Sequence, residues 1–521
     1  MPAVASRLRF ADLLGGLSIV ADLGFGLPPQ EAMRTCLVST ALARRMGLDD
    51  DDVRDAFYVP LLMHVGCISM AHETAAALGD DLAVNRAVTL TDLGDPDDFG
   101  RTLIPELTRG MTAAERSRVT EYVLAYGIEL GRRYDTASCE VARATARRIG
   151  LPESTQRALH EVTEFWRGGS APQGLGGDQI AVAARVARVA ADAVFFDDVG
   201  GAERAAAAVK RRAGGVLDPE IVDTFLADVD HLLAEAGGGT GDPRDRILEV
   251  EPEPVRECNA GDLARVAAAF GDLADLKSPY FHGHAATVAR LAVAAGEQVG
   301  LGPASLHRLE VAALLHDVGR VGISNALWEK EGPLTRAEWE QVRMHAYHSE
   351  RVLATAEALE PMAVIAGMHH ERLDGSGYHR CSTTKDIGVE ARLLAAADTF
   401  AALSQPRSYR AAFTPTDAAE VLSAEARAGR LDRDAVTAVL AEAAERRGRR
   451  PVDLRPAGLT DREIQVLGLM AQGCSNAVIG ERLFVSRRTA EHHVQNVYTK
   501  IGVSSRAAAT LFAVQHDLLP K

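Results

Sequence analysis

The chain has 521 residues, which is more than one hydrophobic core usually fills, so about three or four domains are expected. Hydrophobic residues make up 47% of the chain and charged residues 25%, a balance that excludes a largely disordered protein. A formal net charge of -15 excludes a protein coated in nucleic acid along its whole length. The six cysteines are scattered without a CxxC pair, so we expect reduced, buried thiols rather than a zinc ribbon or a redox pair.

The N-terminal sequence MPAVASRLRFADLL lacks a basic region followed by an apolar core and a cleavage site, so no signal peptide is predicted. The longest uncharged apolar run, Ala56 to Ala71, contains His64 and is shorter than the roughly 18 residues that a membrane span needs. We therefore expect a cytoplasmic protein that has no membrane partner.

Apolar residues recur at helical spacing along nearly every long segment, and alternating runs typical of strands are scarce. This pattern predicts an all-α fold. Glycine, proline and charge interrupt it at residues 237–256 and 446–456, which we interpret as linkers, and at 168–177, which we interpret as a loop within a domain. The predicted domains are 1–236, 257–445 and 457–521.

Residues 1–236 and 257–440 share landmarks in the same order, which suggests an internal duplication. YVPLLMHVG parallels VAALLHDVG, so that His64 stands opposite His316, and Asp192 stands opposite Asp398. Cys139 and His160 are 21 residues apart, and so are His348 and His369. Alanine-rich helices also align by chance, so a fortuitous match is the alternative.

Histidines cluster in the second of these segments, where nine of the sixteen in the chain fall between residues 282 and 379. Neutral imidazoles and a carboxylate that can bridge two cations are the ligands that borderline divalent metals prefer. For His282, His348 and His379 we expect ordinary surface roles. The candidate metal ligands are His284, His316, Asp317, His345, His369, His370 and Asp398.

The order of these residues resembles the HD-GYP branch of the HD metal phosphohydrolases over roughly residues 257–440. The motifs that carry the resemblance are LLHDVGRVGIS, PLTRAEWEQVRMHAYHSERVL, HHERLDGSGY, AAADTFAAL and RSYR. Members hydrolyse cyclic di-GMP in an all-helical fold that holds two or three iron or manganese ions. Such metals generate a nucleophile from water at neutral pH and neutralise phosphate oxygens.

The resemblance implies one metal at His284, His316, Asp317 and Asp398. The second metal would be held by His345, His369, His370 and again Asp317, which would bridge the two. Arg320 stands where the family usually has lysine and would clamp a phosphate oxygen; the alternative is a surface arginine at a helix end.

Three positions depart from the family pattern. Tyr280 replaces the glutamate that binds a third metal, so we expect two divalent transition-metal ions, iron or manganese, rather than three. His379 replaces the proline of the family's name, and RSYR replaces arginine-proline-tyrosine-arginine. These changes leave the ligands in place and make the identity of the substrate less certain.

In the first half the matching positions hold other residues: Glu31 or Ala32 opposite His284, Val65 opposite Asp317, about Thr136 opposite His345, and Glu161 opposite His370. Without the bridging carboxylate, residues 1–236 are interpreted as a degenerate HD-like copy that serves packing, dimerisation or ligand sensing. The alternative is a single-metal site formed by His64, His160, Glu161 and Asp192.

The C-terminal segment carries the signals of a helix-turn-helix. Thr460 and Glu463 predict a capping box, Gly473-Cys474-Ser475 ends one helix and caps the next, and Ser486 caps a third. Two short helices, a tight turn and a basic polar face suit a helix that enters a major groove. Residues 456–521 contain seven Lys and Arg and five Asp and Glu, so they are slightly basic in an acidic chain. We therefore expect the DNA contacts to lie here.

This segment resembles the LuxR-type (GerE-like) DNA-binding domain over about sixty residues. Members read DNA with the third helix and dimerise through a fourth, here around residues 504–515, which predicts a homodimer on duplex DNA. The resemblance implies phosphate contacts from Arg487, Arg488, Lys500 and Arg506. Contacts to bases would come from Thr489, Glu491, His492 and His493.

Three functions fit the sequence. The first is a transcription regulator whose HD-GYP-like domain binds and hydrolyses a cyclic dinucleotide or related phosphodiester, which changes its affinity for DNA. The second is a phosphodiesterase that its DNA-binding tail merely localises. The third is a non-catalytic sensor that uses the metal pocket only to capture the ligand.

Overall fold

The computed structural model describes residues 8–238, 241–448 and 455–519. Contacts between Cα atoms divide the chain into two compact units, one of residues up to Asn259 with Ala356–Ala358, and one of Ala260–Thr355 with Leu359 onward. The predicted domain boundaries remain a prediction, and part of each predicted linker, residues 239–240 and 449–454, lies outside the described residues.

The first unit is built from α-helices. They are α1 (Phe10–Phe25), α2 (Glu31–Arg45), α3 (Asp50–Leu62), α4 (Ala71–Leu78), α5 (Asp81–Leu90), α6 (Pro96–Asp98), α7 (Ile104–Leu107), α8 (Ala113–Arg148), α9 (Glu153–Glu161), α10 (Val182–Arg212), α11 (Pro219–Leu226), α12 (Val229–Leu233) and α13 (Pro243–Val250). The strands that the described residues form are two residues long, Leu8–Arg9 antiparallel to Glu257–Cys258. The all-α prediction is therefore confirmed.

The second unit is also helical. Its helices are α14 (Ala260–Asp275), α15 (His284–Gln298), α16 (Pro303–Leu315), α17 (Asn325–Trp328), α18 (Arg336–Leu353), α19 (Glu360–Gly367), α20 (Val389–Ser404), α21 (Pro415–Arg427), α22 (Arg433–Gly448), α23 (Asp461–Ala471), α24 (Asn476–Arg482), α25 (Arg487–Ile501) and α26 (Arg506–Gln515). Single turns of other helix types occur along the chain: 3-10 at Val65–Met70, Gly177–Gln179, Val318–Gly322, Glu357–Leu359 and Pro456–Gly458, and π at Phe99–Leu103 and Ala234–Gly238.

Side-chain caps begin several of these helices where the sequence predicts them. The hydroxyl of Thr460 accepts from the amide of Glu463, and the carboxylate of Glu463 accepts from the amide of Thr460. The predicted capping box of α23 is therefore confirmed. Ser475 and Ser486 cap α24 and α25 with a single side-chain bond each, from the amides of Val478 and Thr489. Each cap satisfies amides that would otherwise be unpaired at a helix start, typically worth about 1 kcal/mol.

Two local contacts occur in both halves of the chain, as a duplication predicts. The carboxylate of Asp22 accepts from the amide of Ala32, and that of Asp275 accepts from the amide of Ala285. A Cβ on Gly66 would lie 1.8 Å from the carbonyl oxygen of Ser138, and one on Gly319 would lie 2.2 Å from that of His345. This packing places Ser138, two residues after the expected Thr136, opposite His345. It also places Glu31, rather than Ala32, opposite His284.

The expected partners of His64 and Val65 are wrong by one residue. Because Gly66 matches Gly319, His64 stands opposite Asp317 rather than His316, and Val65 stands opposite Val318 rather than Asp317.

The cysteines are only partly as expected. All six are thiols outside any disulfide, and four of them, Cys36, Cys67, Cys139 and Cys474, are buried. Cys258 is half-buried and Cys381 is exposed, because they lie in a short edge strand and a surface loop rather than on an inward helix face.

One helical stretch, Asp50–Leu78, is long and apolar enough to cross a membrane by length and composition alone. Its most apolar window is 67% buried within the fold, which is also what a core helix of a globular domain shows. The stretch is weak evidence for a membrane span.

The contact at Gly66 gives a test of the first unit. Gly66→Ala should lower the free energy of unfolding by about 3 kcal/mol, because its Cβ would overlap the backbone of Ser138. Gly131→Ala is the matched control: nothing lies within 4 Å of its Cβ, and alanine in the middle of α8 should raise stability by about 0.5–1 kcal/mol. Equal effects in thermal or denaturant unfolding would contradict this packing.

Candidate functional site

Five helices of the second unit bring the predicted metal ligands together. His284 begins α15, His316 and Asp317 follow the end of α16, and His345 lies within α18. His369 and His370 follow the end of α19, and Asp398 lies within α20. Ligand atoms lie within 4.8 Å of one another in two sets, one of His284, His316, Asp317 and Asp398 and one of His345, His369 and His370.

The carboxylate of Asp317 lies between the two sets and turns a different oxygen toward each. Oδ2 is 3.0 Å from Nε2 of His316 and 3.6 Å from Nε2 of His284. Oδ1 is 3.4 Å from Nε2 of His345 and 3.5 Å from Nε2 of His369. This is the arrangement that a carboxylate bridging two cations requires.

Asp398 completes the first set and approaches the second. Its Oδ1 is 3.1 Å from Nε2 of His284 and 3.8 Å from Nε2 of His316, and its Oδ2 is 3.9 Å from Nδ1 of His370. Atoms bound to one cation at about 2.0–2.1 Å lie roughly 3–3.5 Å apart, so the shorter separations match a shared ligand sphere.

Backbone carbonyls set the orientation of three of the imidazoles. Nδ1 of His316, His345 and His369 lies 2.7, 2.5 and 2.6 Å from the carbonyl oxygen three residues earlier in each case. A carbonyl only accepts, so each Nδ1 carries a proton, and in the neutral ring Nε2 keeps its lone pair. Nδ1 of His284 is likewise 2.9 Å from the side-chain oxygen of Gln405. Such partners hold metal-binding histidines in place.

The donor set fits divalent cations. Nε2 of His345 and Nε2 of His369 lie 3.2 Å apart, although both are acceptors, and such lone pairs repel unless a cation lies between them. Nε2 of His316 and Oδ1 of Asp317 are buried and make no hydrogen bond, whereas Oδ2 of Asp317 is in an ion pair with Arg320. Buried polar atoms are normally paired, so these atoms indicate a site shaped for metal.

Burial and the central carboxylates control the charges of the site. Burial lowers the pKa of His345 to about 3 and also lowers the pKa of His284, which keeps both imidazoles neutral. Burial opposes ionisation of Asp317, but Arg320 and His316 outweigh it and hold the pKa of Asp317 well below its usual range. Burial also lowers the pKa of His316, yet Asp317 reverses the effect and raises it to about 10. A metal that binds here must displace that proton.

Arg320 is buried behind the bridging carboxylate rather than exposed at a helix end. Its guanidinium forms an ion pair with Asp317 and lies 4.0 Å from the ring centroid of Phe281. Nε and Nη1 of Arg320 make no hydrogen bond. The structure thus places Arg320 where it holds Asp317.

Arg407, in the RSYR segment, also approaches Phe281, with its guanidinium 5.4 Å from the ring centroid. It donates to the carbonyl oxygen of Tyr280, and burial, followed by the charge of Arg320, lowers the pKa of Arg407 to about 10. Arg410, in contrast, donates to carbonyls at the C-terminal end of α20 and serves the fold.

The side of the site next to His370 is the most open, since the other six ligands are buried and His370 is half-buried. The ring of Tyr378 lies over His370 at a centroid distance of 4.7 Å. Gly377 permits this approach, because a Cβ there would lie 2.5 Å from the amide nitrogen of Arg372. His379 pairs with Glu350 at 3.1 Å, so it holds this loop rather than standing free on the surface.

His282 also departs from the expected surface role. Its Nδ1 lies 2.8 Å from the carbonyl oxygen of Ala471, the last residue of α23. A helix C-terminus carries unpaired carbonyls and partial negative charge, so the imidazole caps α23. His348, expected on the surface as well, is half-buried, which lowers its pKa.

The residues expected to contact DNA fall into two groups. Arg487, Arg488, Thr489 and His492 are exposed on α25, and Glu491 and His493 are half-buried there. Lys500 donates to Glu463 at 2.7 Å, and Arg506 donates to the carbonyl oxygen of Cys474 and to the side chain of Asn476. These contacts favour structural roles for Lys500 and Arg506.

Comparison with known families agrees with both parts of the second unit. Residues 269–435 match the model described as the HD domain. Residues 457–513 match the model described as bacterial regulatory proteins of the luxR family. The chain joins an HD domain to a luxR-family domain.

Similar proteins include several bacterial phosphodiesterases. The chain is 29% identical to the 3'3'-cGAMP-specific phosphodiesterase 3 of Vibrio cholerae over 429 residues, 82% of this chain and 92% of the relative. It is 36% identical to the cyclic di-GMP phosphodiesterase response regulator RpfG of Xanthomonas campestris over 148 residues, 27% of this chain and 39% of the relative. The solved structure of a V. cholerae cyclic GMP-AMP specific phosphodiesterase shares the fold, with a TM-score of 0.58 and 24% identity, covering 84% of this chain and 98% of that one.

The first unit does not assemble the single-metal site considered above. Among the described residues, the two metal-binding sets both lie between His284 and Asp398. Asp192 pairs with Arg212 at 2.8 Å, and His64 stacks on Phe25 at a centroid distance of 4.3 Å. His160 contacts Gln173, and Glu161 accepts from the amide of Ala181.

The purified protein should hold close to two transition-metal ions per chain. Asp317→Ala should remove most of both, because it deletes the oxygens that face the two sets. His64→Gln is the control and should leave the metal content unchanged. Elemental analysis of the purified variants gives the metal-to-protein ratio, and an equal loss from both would show that this assignment is wrong.

Proposed function

We propose that this protein is a metal-dependent phosphodiesterase that hydrolyses a cyclic dinucleotide and that its luxR-family domain binds duplex DNA. The observation that carries the proposal is the carboxylate of Asp317, which turns one oxygen to each set of imidazoles. When bound, two iron or manganese ions would activate a water and neutralise phosphate oxygens. Replacing Asp317 would therefore affect both sets at once.

The residues around the set complete a phosphodiester site. Arg320 holds Asp317 and keeps two guanidinium nitrogens unpaired, and Arg407 also lies against the ring of Phe281. Arg320 is buried and Arg407 is half-buried, so their attraction for a phosphate is screened less than it would be at the surface. The open side at His370, with the ring of Tyr378, gives a base of the substrate an aromatic surface to stack on.

The relatives indicate the substrate class. The relative matched over most of both chains is named for 3'3'-cGAMP, and relatives matched over about a quarter of this chain are named for cyclic di-GMP. Both substrates are guanine-containing cyclic dinucleotides with two 3'-5' phosphodiesters. We therefore propose this class and place 3'3'-cGAMP ahead of cyclic di-GMP.

Protein loaded anaerobically with ferrous iron, and separately with manganese, should linearise 3'3'-cGAMP or cyclic di-GMP. His316→Ala should lower the rate at least a hundredfold, because it removes a ligand whose Nε2 faces both Asp317 and Asp398. The linear product is measured by chromatography.

His307→Gln is the control for that experiment, since His307 lies on α16 outside the set and should leave the rate unchanged. Tight binding of both dinucleotides without turnover under either metal would instead favour the non-catalytic sensor.

DNA binding is proposed to depend on the state of the metal site. His282 caps α23 and stands two residues before the ligand His284, so one short segment contacts both parts. The helix α26, expected to form a dimer on DNA, packs against α14 and α23 within the chain. The contact with α14 covers part of α26, so we propose that dimerisation releases this contact and that a change at His284 favours the release.

Full-length protein should bind duplex DNA with an affinity that falls steeply as salt increases, because phosphate neutralisation dominates such binding. Arg488→Ala should weaken binding to all sequences. It should also reduce the slope of log affinity against log salt concentration by about one. Arg433→Ala, an exposed cation on α22, is the control.

The same titration, repeated with metal-loaded and metal-free protein, should show a difference in DNA affinity of threefold or more that His282→Ala reduces. If the two forms bind equally, the proposed coupling is wrong even where both activities are present.

A further inference from the structure

The first unit contains a cavity of about 650 Å³, separate from the metal ligands. It lies among α4, α5, α8 and α10 and the loop that follows α9. Pockets for small organic ligands usually measure about 300–1,000 Å³, so this cavity has the size of a ligand site.

One end of the cavity is apolar. Leu78, Val84, Leu103, Leu107 and Val123 line it and belong to one buried cluster formed by α4, α5, α7, α8 and the π turn between α6 and α7. These walls offer dispersion contacts and the hydrophobic effect, which at about 25 cal/mol per Å² of apolar surface supply most of the affinity of such sites. These walls offer neither a hydrogen bond nor an opposite charge to a charged group.

The other end holds residues that the duplication places opposite the metal ligands. Glu31, opposite His284, lines the cavity and is buried, and its Oε2 has no hydrogen-bond partner. The hydroxyl of Thr74, also buried in the lining, has none either. Burial raises the pKa of Glu31 to about 9, so its carboxyl is protonated at neutral pH and can donate as well as accept. Such buried, unpaired groups are normally satisfied by a partner.

The arginines that line the cavity have partners within the fold. Arg212 pairs with Asp192 and donates to the carbonyl oxygens of Thr89 and Thr91. Arg132 and Arg167 donate to the carbonyl oxygens of Gly169 and Gly94.

The groups next to Glu31 carry little free charge. Arg188 interacts with Asp135, whose pKa burial raises to about 7. Burial lowers the pKa of His64 to about 3, so the imidazole is neutral. The unpaired carboxyl of Glu31 and hydroxyl of Thr74 are both uncharged at neutral pH, which favours a ligand with an uncharged, hydrogen-bonding head.

We propose that this cavity binds an uncharged amphipathic small molecule, with an acyl or aryl body among α4, α5 and α8 and a hydrogen-bonding head against Glu31. The site is independent of the metal centre. It replaces metal ligation, which the first unit has lost, with recognition of an organic ligand.

Full-length protein should bind the uncharged fluorescent probe N-phenyl-1-naphthylamine at one saturable site. Three competitors share a ten-carbon chain and differ in the head: decanamide, decanoate and decyltrimethylammonium. Decanamide should displace the probe at a concentration at least tenfold lower than either ion, because an ion would lose its hydration at an end whose arginines already have partners and whose unpaired groups are uncharged. Displacement by 3'3'-cGAMP at the same concentration, or equal potency of the three heads, would overturn the proposed ligand class.

Two variants locate the site. Val123→Trp should fill the apolar end and weaken probe binding at least tenfold, whereas Val364→Trp, on an exposed position of α19, should not. Glu31→Leu should leave probe binding within twofold and abolish the preference for decanamide. The melting temperature of Glu31→Leu should not fall, since the substitution removes an unpaired buried carboxyl, and this keeps the test valid if Val123→Trp folds poorly. Absence of a saturable site, or wild-type probe binding and head preference in both variants, would overturn the proposal.

Discussion

The metal site depends on the carboxylate of Asp317 being held between imidazoles that come from different helices. A turn of 3-10 helix after Asp317 packs on α18, where the amide of Gly319 donates to the hydroxyl of Ser349 at 2.9 Å. A side chain at Gly319 would overlap the backbone of His345. The same close packing therefore seats the turn and brings Asp317 to the second set of ligands. The centre is a tertiary feature that no single helix could form.

The sequence identified much of this arrangement, because the ligands occur as adjacent pairs and in a recognisable order. Helix starts were also predictable, since caps such as Thr460 with Glu463 involve residues three positions apart. Contacts between distant segments could not be predicted from the sequence. Nothing near Arg320 in the sequence shows that it turns inward to Asp317 and Phe281. Similarly, Lys500 is engaged by Glu463, 37 residues earlier, through the packing of α23 against α25.

The duplicated halves show which contacts belong to the fold and which to chemistry. The bond from Asp22 to Ala32 and the close approach at Gly66 persist in the first unit, and both have counterparts in the second. The chemistry does not persist, because the register of these contacts places His64 opposite Asp317, and a neutral imidazole has one lone pair and cannot bridge two cations. Asp192 shows the consequence: without metal, its carboxylate pairs with Arg212, which compensates a charge that would otherwise be buried alone. A scaffold that keeps its packing while losing its ligands is free to acquire a different occupant.

The segment between α14 and α15 links the two parts of the second unit by a short covalent path. His282 and His284 are separated by Gly283, whose φ of 72° is in the left-handed region, so this turn directs one imidazole to α23 and the other to Asp398. Metal bound at His284 would restrain the turn, because Nε2 would be fixed on one side and the bond to Gln405 on the other. Since His282 caps α23 from the same turn, the proposed coupling would pass to the luxR-family domain through two peptide units. On that proposal the two sites would influence each other without a rearrangement of the HD core.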